Sequence, residues 1–307
     1  MRALPFTILI ILMCAVPTDV YAWQETAKAT GAGQGGAVEK LVWKLKPGQK
    51  FNVTLSKTAD ITTKVDTRVR KVDAETTLEL DWEVVSSNDA GAVIRQTLNR
   101  IRLSIGAPGD VSARRMNYDS AVKVYRNGLS GKVTKQYQAV VGLVSTFTLT
   151  PVGHVSDFAN EAGQEQKTAK LPDGSAVKEM LSGKSAGPKI SQLTNLSWQS
   201  EKEPSVVRRE VESELGKLVR VDSYQTKSGG EQIRVEVKTS AEGLDGDSSA
   251  RKVDRYEGQG SIVFREAAGF IESSTSMLTV ASKAPYRDMK VESLTEVQTS
   301  MTLNQIK

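Results

Sequence analysis

The stretch Leu78–Ile105, LELDWEVVSSNDAGAVIRQTLNRIRLSI, decides the fold class of this chain. Apolar and polar residues alternate on both sides of Ser86–Gly91, a cluster of turn-forming residues. Alternation with a period of two is typical of an antiparallel strand with one buried face and one solvated face. The stretch therefore predicts a β-hairpin that folds about residues 86–91.

This predicted hairpin fixes which residues face each other. Folding about the turn places Val84 opposite Ile94 and Leu80 opposite Leu98. All four are apolar, so we expect them to share the buried face of the sheet.

The second strand of the hairpin changes phase after Leu98. The apolar positions move from even to odd numbers at Ile101 and Leu103. A slip of one residue would turn every following side chain to the wrong face. We therefore predict a β-bulge at Asn99–Arg100, beyond which Leu78 meets Ile101.

Three carboxylates, Glu79, Asp81 and Glu83, alternate along the first strand of the hairpin. A row of acids is one way to supply general acid–base chemistry. The register instead places Glu79 opposite Arg100 and Glu83 opposite Arg95. We therefore interpret the row as a solvated face of neutralising cross-strand pairs.

Similar alternation recurs throughout the chain, notably in Phe51–Leu55, Ile233–Val237 and Val291–Leu303. Thr and Val, which favour strands, are frequent in these segments. We predict a mainly β fold, built as a long antiparallel, curved sheet or half-barrel with one or two packed helices. A Phe-containing hairpin in each half of the chain suggests an internal duplication of residues 40–156 and 190–307, which the sequence leaves open.

Two segments have helical rather than strand spacing. The first is residues 133–146, in which four apolar residues recur on one helical face: Tyr137, Val140, Val141 and Val144. The second, shorter segment is residues 175–182. Between residues 157 and 200 the remaining signal is polar and irregular, which predicts a loop-rich connector.

The N-terminal residues 1–22 are typical of a cleaved export signal. Arg2 precedes an apolar run, Leu4–Val16, and a small residue, Ala22, stands at the expected cleavage position. The alternative is a membrane anchor, but the run is shorter than the ~20 apolar residues that a membrane span needs. We therefore expect a periplasmic or extracellular protein that is not an integral membrane protein.

A Gly-rich, polar linker follows at residues 23–39, and a single β-rich domain is predicted over residues 40–307. The lone cysteine, Cys14, lies within the export signal, and the chain has one histidine, His154. These counts exclude a disulfide framework, a thiolate nucleophile, an iron–sulfur cluster and a multi-histidine metal centre from the domain. No cofactor is predicted.

The basic residues predict an acidic partner rather than a nucleic acid. The net charge is +5, and the basic pairs Arg114-Arg115, Arg208-Arg209 and Arg251-Lys252 are scattered among acids. A nucleic-acid interface clusters such residues on one face with interleaved aromatics, and aromatics make up only 6% here. Anionic envelope components or lipid headgroups are the expected partners.

Two short patterns resemble the signature of penicillin-recognising enzymes. Ser175-x-x-Lys178 matches a helix-borne serine with its activating lysine, and Lys227-Ser228-Gly229 matches the strand that follows. The intervening serine–asparagine element and the space for a helical domain are missing. We therefore interpret both matches as coincidences and predict no catalytic residues.

Two further candidates for chemistry are interpreted as turns. His154 follows Gly153 at a turn, and no Gly-x-Ser-x-Gly nucleophile elbow accompanies it. Asp245-Gly246-Asp247 and Asp254 carry calcium-type ligands without the spacing of a calcium loop. We predict no metal site.

A series of short motifs follows in a characteristic order along the chain. They are Trp43-x-Leu45-x-Pro47-Gly48-x-x-Phe51, Leu80-x-Trp82-x-Val84, Arg100-Ile101-Arg102, Tyr118-Asp119-Ser120, Phe147-x-Leu149-x-Pro151-x-Gly153 and Gly258-x-Gly260-x-x-x-Phe264. In this order they resemble an uncharacterised family of exported bacterial proteins, a domain of unknown function, over residues 40–307. The chain departs from the family at Asn195-Leu196-Ser197-Trp198, where a Gly-Asp-x-Trp sequence is expected. The resemblance implies a curved sheet like that of periplasmic lipoprotein carriers and no known activity.

Three functional hypotheses follow from the sequence. The first is an exported, non-enzymatic binding or envelope-structural module. The second is a carrier of an apolar ligand or lipid in the concavity of the sheet, with the mouth plugged by the segment that contains Tyr137, Val140, Val141, Val144 and Phe147. The third is a hydrolase that uses two buried carboxylates. An apolar concave face left uncovered by helices would favour the carrier, and a filled core would favour the first hypothesis.

Overall fold

The computed structural model describes residues 41–107, 115–122, 131–199, 205–213, 216–242, 252–286 and 289–306. The predicted export signal, the linker and the Asp245-Gly246-Asp247 turn lie outside these ranges. Strand accounts for 64% of the structure, in one 12-stranded, antiparallel, curved and unclosed sheet, which confirms the predicted mainly β fold. None of the described helices is long and apolar enough to cross a membrane.

The strands follow the chain in two groups separated by helices. The strands are β1 (Lys50–Val65), β2 (Arg68–Asn88), β3 (Gly91–Gly106), β4 (Met116–Asp119), β5 (Val144–Leu149), β6 (Val155–Asn160), β7 (Ser205–Ser213), β8 (Gly216–Gly229), β9 (Gln232–Glu242), β10 (Lys252–Arg265), β11 (Phe270–Tyr286) and β12 (Met289–Ile306). The described helices are α1 (Gly131–Val140), α2 (Glu165–Ala169), α3 (Ala176–Leu181) and α4 (Gly183–Thr194).

The order of strands in the sheet is β6-β5-β3-β2-β1-β12-β11-β10-β9-β8-β7, and β4 pairs with β3. The first and last described strands, β1 and β12, therefore pair at the centre of the sheet. In both halves, successive strands of the chain are added towards the β6 edge of the sheet. Two tandem copies of one unit would give the same order, and the internal duplication stays a prediction.

The central hairpin has the predicted register. Val84 pairs with Ile94 and Leu80 with Leu98, and the register shifts between Glu79 and Leu80. This shift leaves Asn99 without a partner opposite it, so the predicted bulge is confirmed. A second shift, between Val84 and Ser86, was not predicted.

The end of β4 and the residue that follows it hold the hairpin at its bulge. The Ile101 N–H donates to Ser120 Oγ at 3.0 Å, and the Arg100 guanidinium donates to Asp119 at 2.8 Å. This hydrogen bond from Arg100 lowers the pKa of Asp119. The Tyr118-Asp119-Ser120 motif therefore supports the bulge.

One side of the sheet carries Phe51, Val53 and Leu55, each at most 2% exposed, and we call this side the inner face. The alternating residues between them, Asn52 and Thr54, belong to the outer face, which is mostly Thr, Ser and charged residues. Helices α1, α3 and α4 pack on the inner face, because their buried apolar residues share one core cluster with the strands.

The helix predicted over residues 133–146 is wrong in its second half. Helix α1 ends at Val140, and Gly142 then adopts a positive φ of 80°. Val144 and Phe147 lie instead in strand β5, opposite Thr97 and Ile94 of β3. Glycine adopts this backbone conformation without a steric penalty, which allows the chain to turn from helix to strand.

The loop-rich connector predicted over residues 157–200 is also corrected. It contains the end of β6 and helices α2, α3 and α4, of which only α3 matches a predicted helix, at residues 175–182. Helix α4 was missed because its sequence, GKSAGPKISQLT, contains glycine and Pro188. Burial of Ile190 and Leu193 in the core outweighs that low helix propensity.

Candidate functional site

The inner face has a filled half and an open half. In the filled half, helix residues such as Val177, Leu181 and Ile190 are at most 1% exposed and pack in one cluster with Phe51 and Val53. Close packing of this kind leaves no room for a ligand.

The open half lies further along the same strands. We define it by five apolar inner-face residues that are partly exposed and belong to neither apolar cluster of the protein: Ala59, Ile61, Val72, Ala74 and Val297. They adjoin one another, because Ala59 pairs with both Ala74 and Val297, and Ile61 pairs with Val72. The described chain therefore presents a continuous apolar surface here that its own core does not use.

A second, smaller apolar cluster borders the open half. Its buried members are Leu218, Val253, Tyr256, Leu278 and Val280, and none of them belongs to a described helix. Leu278 pairs with Val297, so this buried cluster adjoins the open half on the same face of the sheet. Two glycines, Gly258 and Gly260, allow β10 to curve at this position, because a Cβ on either would lie within 2.5 Å of a backbone oxygen of β11.

A cluster of charged and polar residues lies on the inner face of β7, β8 and β9. The Asp222 carboxylate is fully buried and accepts from Arg220 Nε at 2.9 Å and from Arg209 Nη1 at 3.3 Å. The Thr239 hydroxyl donates to the same carboxylate at 2.6 Å. The two guanidinium groups are themselves largely buried, with side-chain exposures of 20% for Arg209 and 11% for Arg220.

Burial raises the pKa of Tyr224, which lies beside this charge cluster, to about 12, with a further contribution from the negative charge of Asp222. The phenol is therefore a neutral hydroxyl at physiological pH. Its ring stacks on Trp198 with centroids 4.8 Å apart and planes 6° apart. Tyr224 also lines a cleft on this face of the sheet.

This polar cleft, which we define by Arg209, Arg220, Tyr224, Gln192 and Asn195, has a volume of about 40 Å³. Gln192 and Asn195 come from the C-terminal end of α4, and the arginines come from the sheet below it. The rest of the lining comes from β9, β10 and β11 and mixes polar and apolar residues: Val237, Thr239, Gln259, Gly260, Ile262, Ser274, Thr275 and Ser276.

Sequence reasoning missed this cleft because the strand β8 has an inverted pattern. Its inner positions include Arg220 and Asp222, whereas the apolar residues Val219 and Val221 alternate with them on the outer face. Alternation alone assigns the valines to the buried side. One signal could have revealed the cleft: Arg220, Asp222 and Tyr224 are spaced two residues apart, so an aromatic residue shares one strand face with two opposite charges.

The predicted plug residues lie in the filled half. Tyr137, Val140 and Phe147 are at most 5% exposed, and Val141 and Val144 are partly buried. These residues belong to one wall of the core, where the ring of Tyr137 packs on Tyr118 and the ring of Phe147 packs on Trp82. Their role in closing a mouth stays a prediction.

The penicillin-recognition pattern has a structural explanation. Ser175 caps helix α3, because its Oγ accepts from the Lys178 N–H at 3.2 Å. The Lys178 ammonium donates to Asp173 at 2.6 Å, and Lys227 donates to Glu236 on the neighbouring strand, also at 2.6 Å. The structure gives each of these residues a local structural role.

Glu79 and Glu83 of the carboxylate row in the central hairpin form ion pairs on the outer face. Glu79 lies 2.9 Å from Arg102 and 3.7 Å from Arg100. Glu83 faces Arg95 in the register, but its side chain pairs with Lys50 at 3.5 Å. Cation pairing on an open face is unlike the buried carboxylate pair that a glycoside hydrolase needs.

The remaining sequence candidates are structural as well. The backbone N–H of His154 donates to Thr150 Oγ1 at 3.0 Å, within a turn at Gly153. Asp254 pairs with Lys283 at 2.7 Å, which lowers the pKa of the carboxyl. Across the described ranges, no group of three or more His, Cys, Asp or Glu residues has the arrangement of a metal site.

No protein-family model matches the chain, and no curated protein matches it. Among solved structures, the chain is similar to lipovitellin, in a structure concerned with lipid–protein interactions, with a TM-score of 0.46 and 11% identity. That match covers 85% of this chain and 25% of lipovitellin.

An outer membrane channel from Pseudomonas putida F1 matches with a TM-score of 0.21 and 13% identity, over 89% of this chain and all of the channel. The attachment invasion locus protein Ail of Yersinia pestis, in complex with a heparin analogue, matches with a TM-score of 0.14 and 8% identity, over 83% of this chain and 99% of Ail. Because these scores are low, we infer function from the geometry of the chain itself.

Proposed function

We propose that this chain is an exported, non-enzymatic binding protein that carries an apolar or lipid-like ligand on the open half of its inner face. The observation that carries the proposal is the continuous surface formed by Ala59, Ile61, Val72, Ala74 and Val297, which is apolar and joins neither core cluster. An apolar patch left outside the core of a folded protein is typical of a binding surface.

The small side chains of this surface suit an extended hydrocarbon. Ala59 and Ala74 leave a shallow floor, and the branched residues Ile61 and Val72 lie beside it. Each methylene group that such a surface removes from water contributes about 0.8 kcal/mol. A single acyl chain laid along the sheet would thus gain substantial binding free energy without a specific polar contact.

Export is part of the same proposal. It is supported by the features of residues 1–22 and by the resemblance to exported bacterial proteins over residues 40–307. A carrier of apolar molecules is useful in an aqueous envelope compartment, where its ligand would otherwise aggregate or partition into membranes.

We further propose that helix α1 and strand β5 close one end of the inner face. Tyr137, Val140 and Phe147 are supported in this role by their burial against the core, next to the partly buried Val141 and Val144. The ligand would then enter from the open half, away from this wall.

A fluorescent apolar probe, N-phenylnaphthylamine, tests the binding proposal directly. The chain without residues 1–22 is expected to bind the probe saturably. Ala59→Asp, which places a short charged group on the open half, is expected to weaken binding about tenfold or more, because a carboxylate there must be desolvated.

The matched control is Thr62→Asp. Thr62 lies three residues further along β1, on the outer face and opposite Lys71. This variant is expected to bind the probe like the unchanged protein. Circular dichroism and thermal melting of both variants check that the fold is retained. The absence of saturable binding to the unchanged protein, or equal losses in both variants, would contradict the proposal.

A further inference from the structure

Two hairpin ends lie side by side at the far end of the open half. Strand β1 ends at Val65 before β2 returns, and β11 ends at Tyr286 before β12 returns. Because β1 pairs with β12, the two ends are neighbours, and the Asp66 N–H donates to the Lys290 carbonyl at 3.4 Å. We call residues 62–71, 283–286 and 289–292, which form these ends, the double tip.

The double tip is strongly basic. It contains six basic and two acidic residues, a net charge of +4, whereas the whole chain has a net charge of +5. The charge is still +3 when Asp254 of β10, which pairs with Lys283, is included. A surface of this kind attracts polyanions and anionic membranes. The basic residues are Lys64, Arg68, Arg70, Lys71, Lys283 and Lys290, and the acidic residues are Asp66 and Glu292.

Three of these cations are available to a partner. Arg68, Arg70 and Lys71 are exposed and form no ion pair within the part of the chain that the structure describes. Lys64 and Lys290 instead share the carboxylate of Glu292, at 3.7 and 3.3 Å. Guanidinium groups bind phosphates through paired hydrogen bonds. The two arginines are therefore suited to phosphate headgroups.

Both arginines lie on the inner face, where the open half ends. Arg68 pairs with Val65 and Arg70 with Thr63, and these two partners share that face with Ile61. Val65 is partly exposed, and the small residue Thr63 alone separates it from Ile61 along the face. The apolar surface of the open half therefore extends to the double tip, next to the arginines.

Exposed apolar residues accompany the charges. Val69, between the two arginines on β2, is 55% exposed, and Met289 of β12 is partly exposed. Val65 pairs with Val291, and both are partly exposed on the inner face. An anionic polysaccharide has no use for such residues, whereas a bilayer interface accepts apolar side chains below its charged headgroups. The combination therefore fits an anionic bilayer.

We propose that the double tip docks on an anionic lipid bilayer and so presents the end of the open half to the membrane. Arg68, Arg70 and Lys71 contact lipid phosphates, and Val69 enters the headgroup region. The inference rests on the carrier function proposed above for its purpose, which is the exchange of ligand between the inner face and the membrane. Docking is measured without that ligand, so the two proposals can fail separately.

Vesicle co-sedimentation tests the docking. The chain without residues 1–22 is used, because the apolar run Leu4–Val16 would itself bind a bilayer. Vesicles of equal parts phosphatidylglycerol and phosphatidylcholine are compared with vesicles of phosphatidylcholine alone. We expect about tenfold or tighter binding to the anionic vesicles, and a smaller preference at high salt, because salt screens the attraction. Equal binding to both vesicles, or binding to neither, would overturn the inference.

Arg68→Glu/Arg70→Glu tests the position of the surface, and Lys44→Glu/Lys46→Glu is its matched control. All four residues are exposed and both variants change the charge equally, but Lys44 and Lys46 precede β1, at the opposite end of that strand. We expect the arginine variant to bind anionic vesicles about tenfold or more weakly and the control to bind like the unchanged protein. Equal losses would assign the binding to net charge and overturn the inference.

Circular dichroism checks the fold of both variants. If Arg68→Glu/Arg70→Glu does not fold, Arg68→Gln/Arg70→Gln replaces it, because this change removes the two charges without adding negative ones. Its expected loss of vesicle binding is about threefold or more. Unchanged vesicle binding by the folded glutamine variant would overturn the inference.

Val69→Ser tests the apolar contribution, and Val85→Ser is its matched control. Both valines lie on β2 and are almost equally exposed, at 55% and 54%, but Val85 lies near the other end of the strand. We expect about threefold weaker vesicle binding for Val69→Ser and no change for Val85→Ser. Vesicle binding that is insensitive to Val69→Ser would overturn the bilayer. Dextran sulfate binding that needs the same arginines would then identify an anionic polysaccharide as the partner.

Binding of N-phenylnaphthylamine in the absence of vesicles separates this inference from the carrier proposal. We expect Arg68→Glu/Arg70→Glu to keep the probe affinity of the unchanged protein. Vesicle binding without any probe binding would contradict the carrier and support the docking surface. Probe binding without vesicle binding would overturn the docking surface alone.

Discussion

The ammonium of Lys57 lies 3.2 Å from the Glu179 carboxylate and joins strand β1 to helix α3 across the inner face. The two side chains are only 15% and 12% exposed. Lys57 stands between the buried Leu55 and the partly exposed Ala59 on the same face of the strand. The ion pair therefore marks the boundary between the filled half and the open half.

This ion pair is expected to hold α3 on the sheet. Lys57→Met leaves the largely buried carboxylate of Glu179 without its cation, and its Oε1 already has no hydrogen-bond partner among the described residues. We expect a loss of about 2–4 kcal/mol in the free energy of unfolding, measured by urea denaturation. The double variant Lys57→Met/Glu179→Leu should recover part of that loss.

Lys50→Met is the control for this prediction. Lys50 lies on the same strand and pairs with Glu83, but both side chains are exposed. Its removal is expected to cost at most about 1 kcal/mol. Similar costs for the two lysine variants would show that the pair at Lys57 has no special role.

Because Asn99 has no partner on β2, its deletion is expected to be tolerated. Deletion of Asn99 leaves Leu98 next to Arg100 and restores regular alternation, so Leu98 and Ile101 stay on the inner face. We expect a change of about 1 kcal/mol or less in the free energy of unfolding.

Deletion of Thr97 is the contrasting variant. In a regular ladder it would turn Leu98, which is fully buried, to the outer face. The expected cost is about 2 kcal/mol or more, measured by the same denaturation. If both deletions cost the same, the bulge does not set the phase of β3.

Gly153 is expected to tolerate no side chain. It has a φ of 79°, and a Cβ added there would lie 1.8 Å from the backbone oxygen of Thr194 at the end of α4. Gly153→Ala should therefore displace α4 and cost about 3 kcal/mol or more. Gly163 has the same φ but no atom within 4 Å of its Cβ position, so Gly163→Ala should cost about 1 kcal/mol. Equal melting temperatures for the two variants would contradict this prediction.

Burial of the Tyr224 phenol is expected to make the protein less stable at alkaline pH. Below pH 10 both the folded and the unfolded protein keep this phenolic proton. Between pH 10 and about 12 only the unfolded chain releases it, so the free energy of unfolding falls with rising pH, by about 3 kcal/mol in total. Tyr224→Phe lacks this contribution, and its stability should fall less steeply over that range. Parallel curves for the two proteins in pH-dependent urea denaturation would contradict the burial of the phenol.

The sequence predicted the central hairpin to the residue because its information is local. The turn at residues 86–91 fixes the register, and the shift from Leu98 to Ile101 reveals the bulge. Such arguments need only the period of two and the count of residues. Helix α1 was predicted too long because Val144 fits both the helical spacing and the alternation of β5.

The candidate site could not be predicted in the same way. Whether Ala59 is covered depends on where the helices lie, and α4, with its glycine and Pro188, carries no helical signal. The charges of Arg220 and Asp222 lie at inner positions because they neutralise each other there, which alternation does not encode. Both features depend on contacts between residues distant in sequence.

The central claim is that the open half of the inner face holds an apolar ligand. Native mass spectrometry of the full chain, purified gently from the cells that produce it, tests this most directly. We predict an additional mass from a noncovalently bound amphiphile, which is lost in Ala59→Asp and retained in Thr62→Asp. A protein that carries no bound molecule in any of the three forms would contradict the claim.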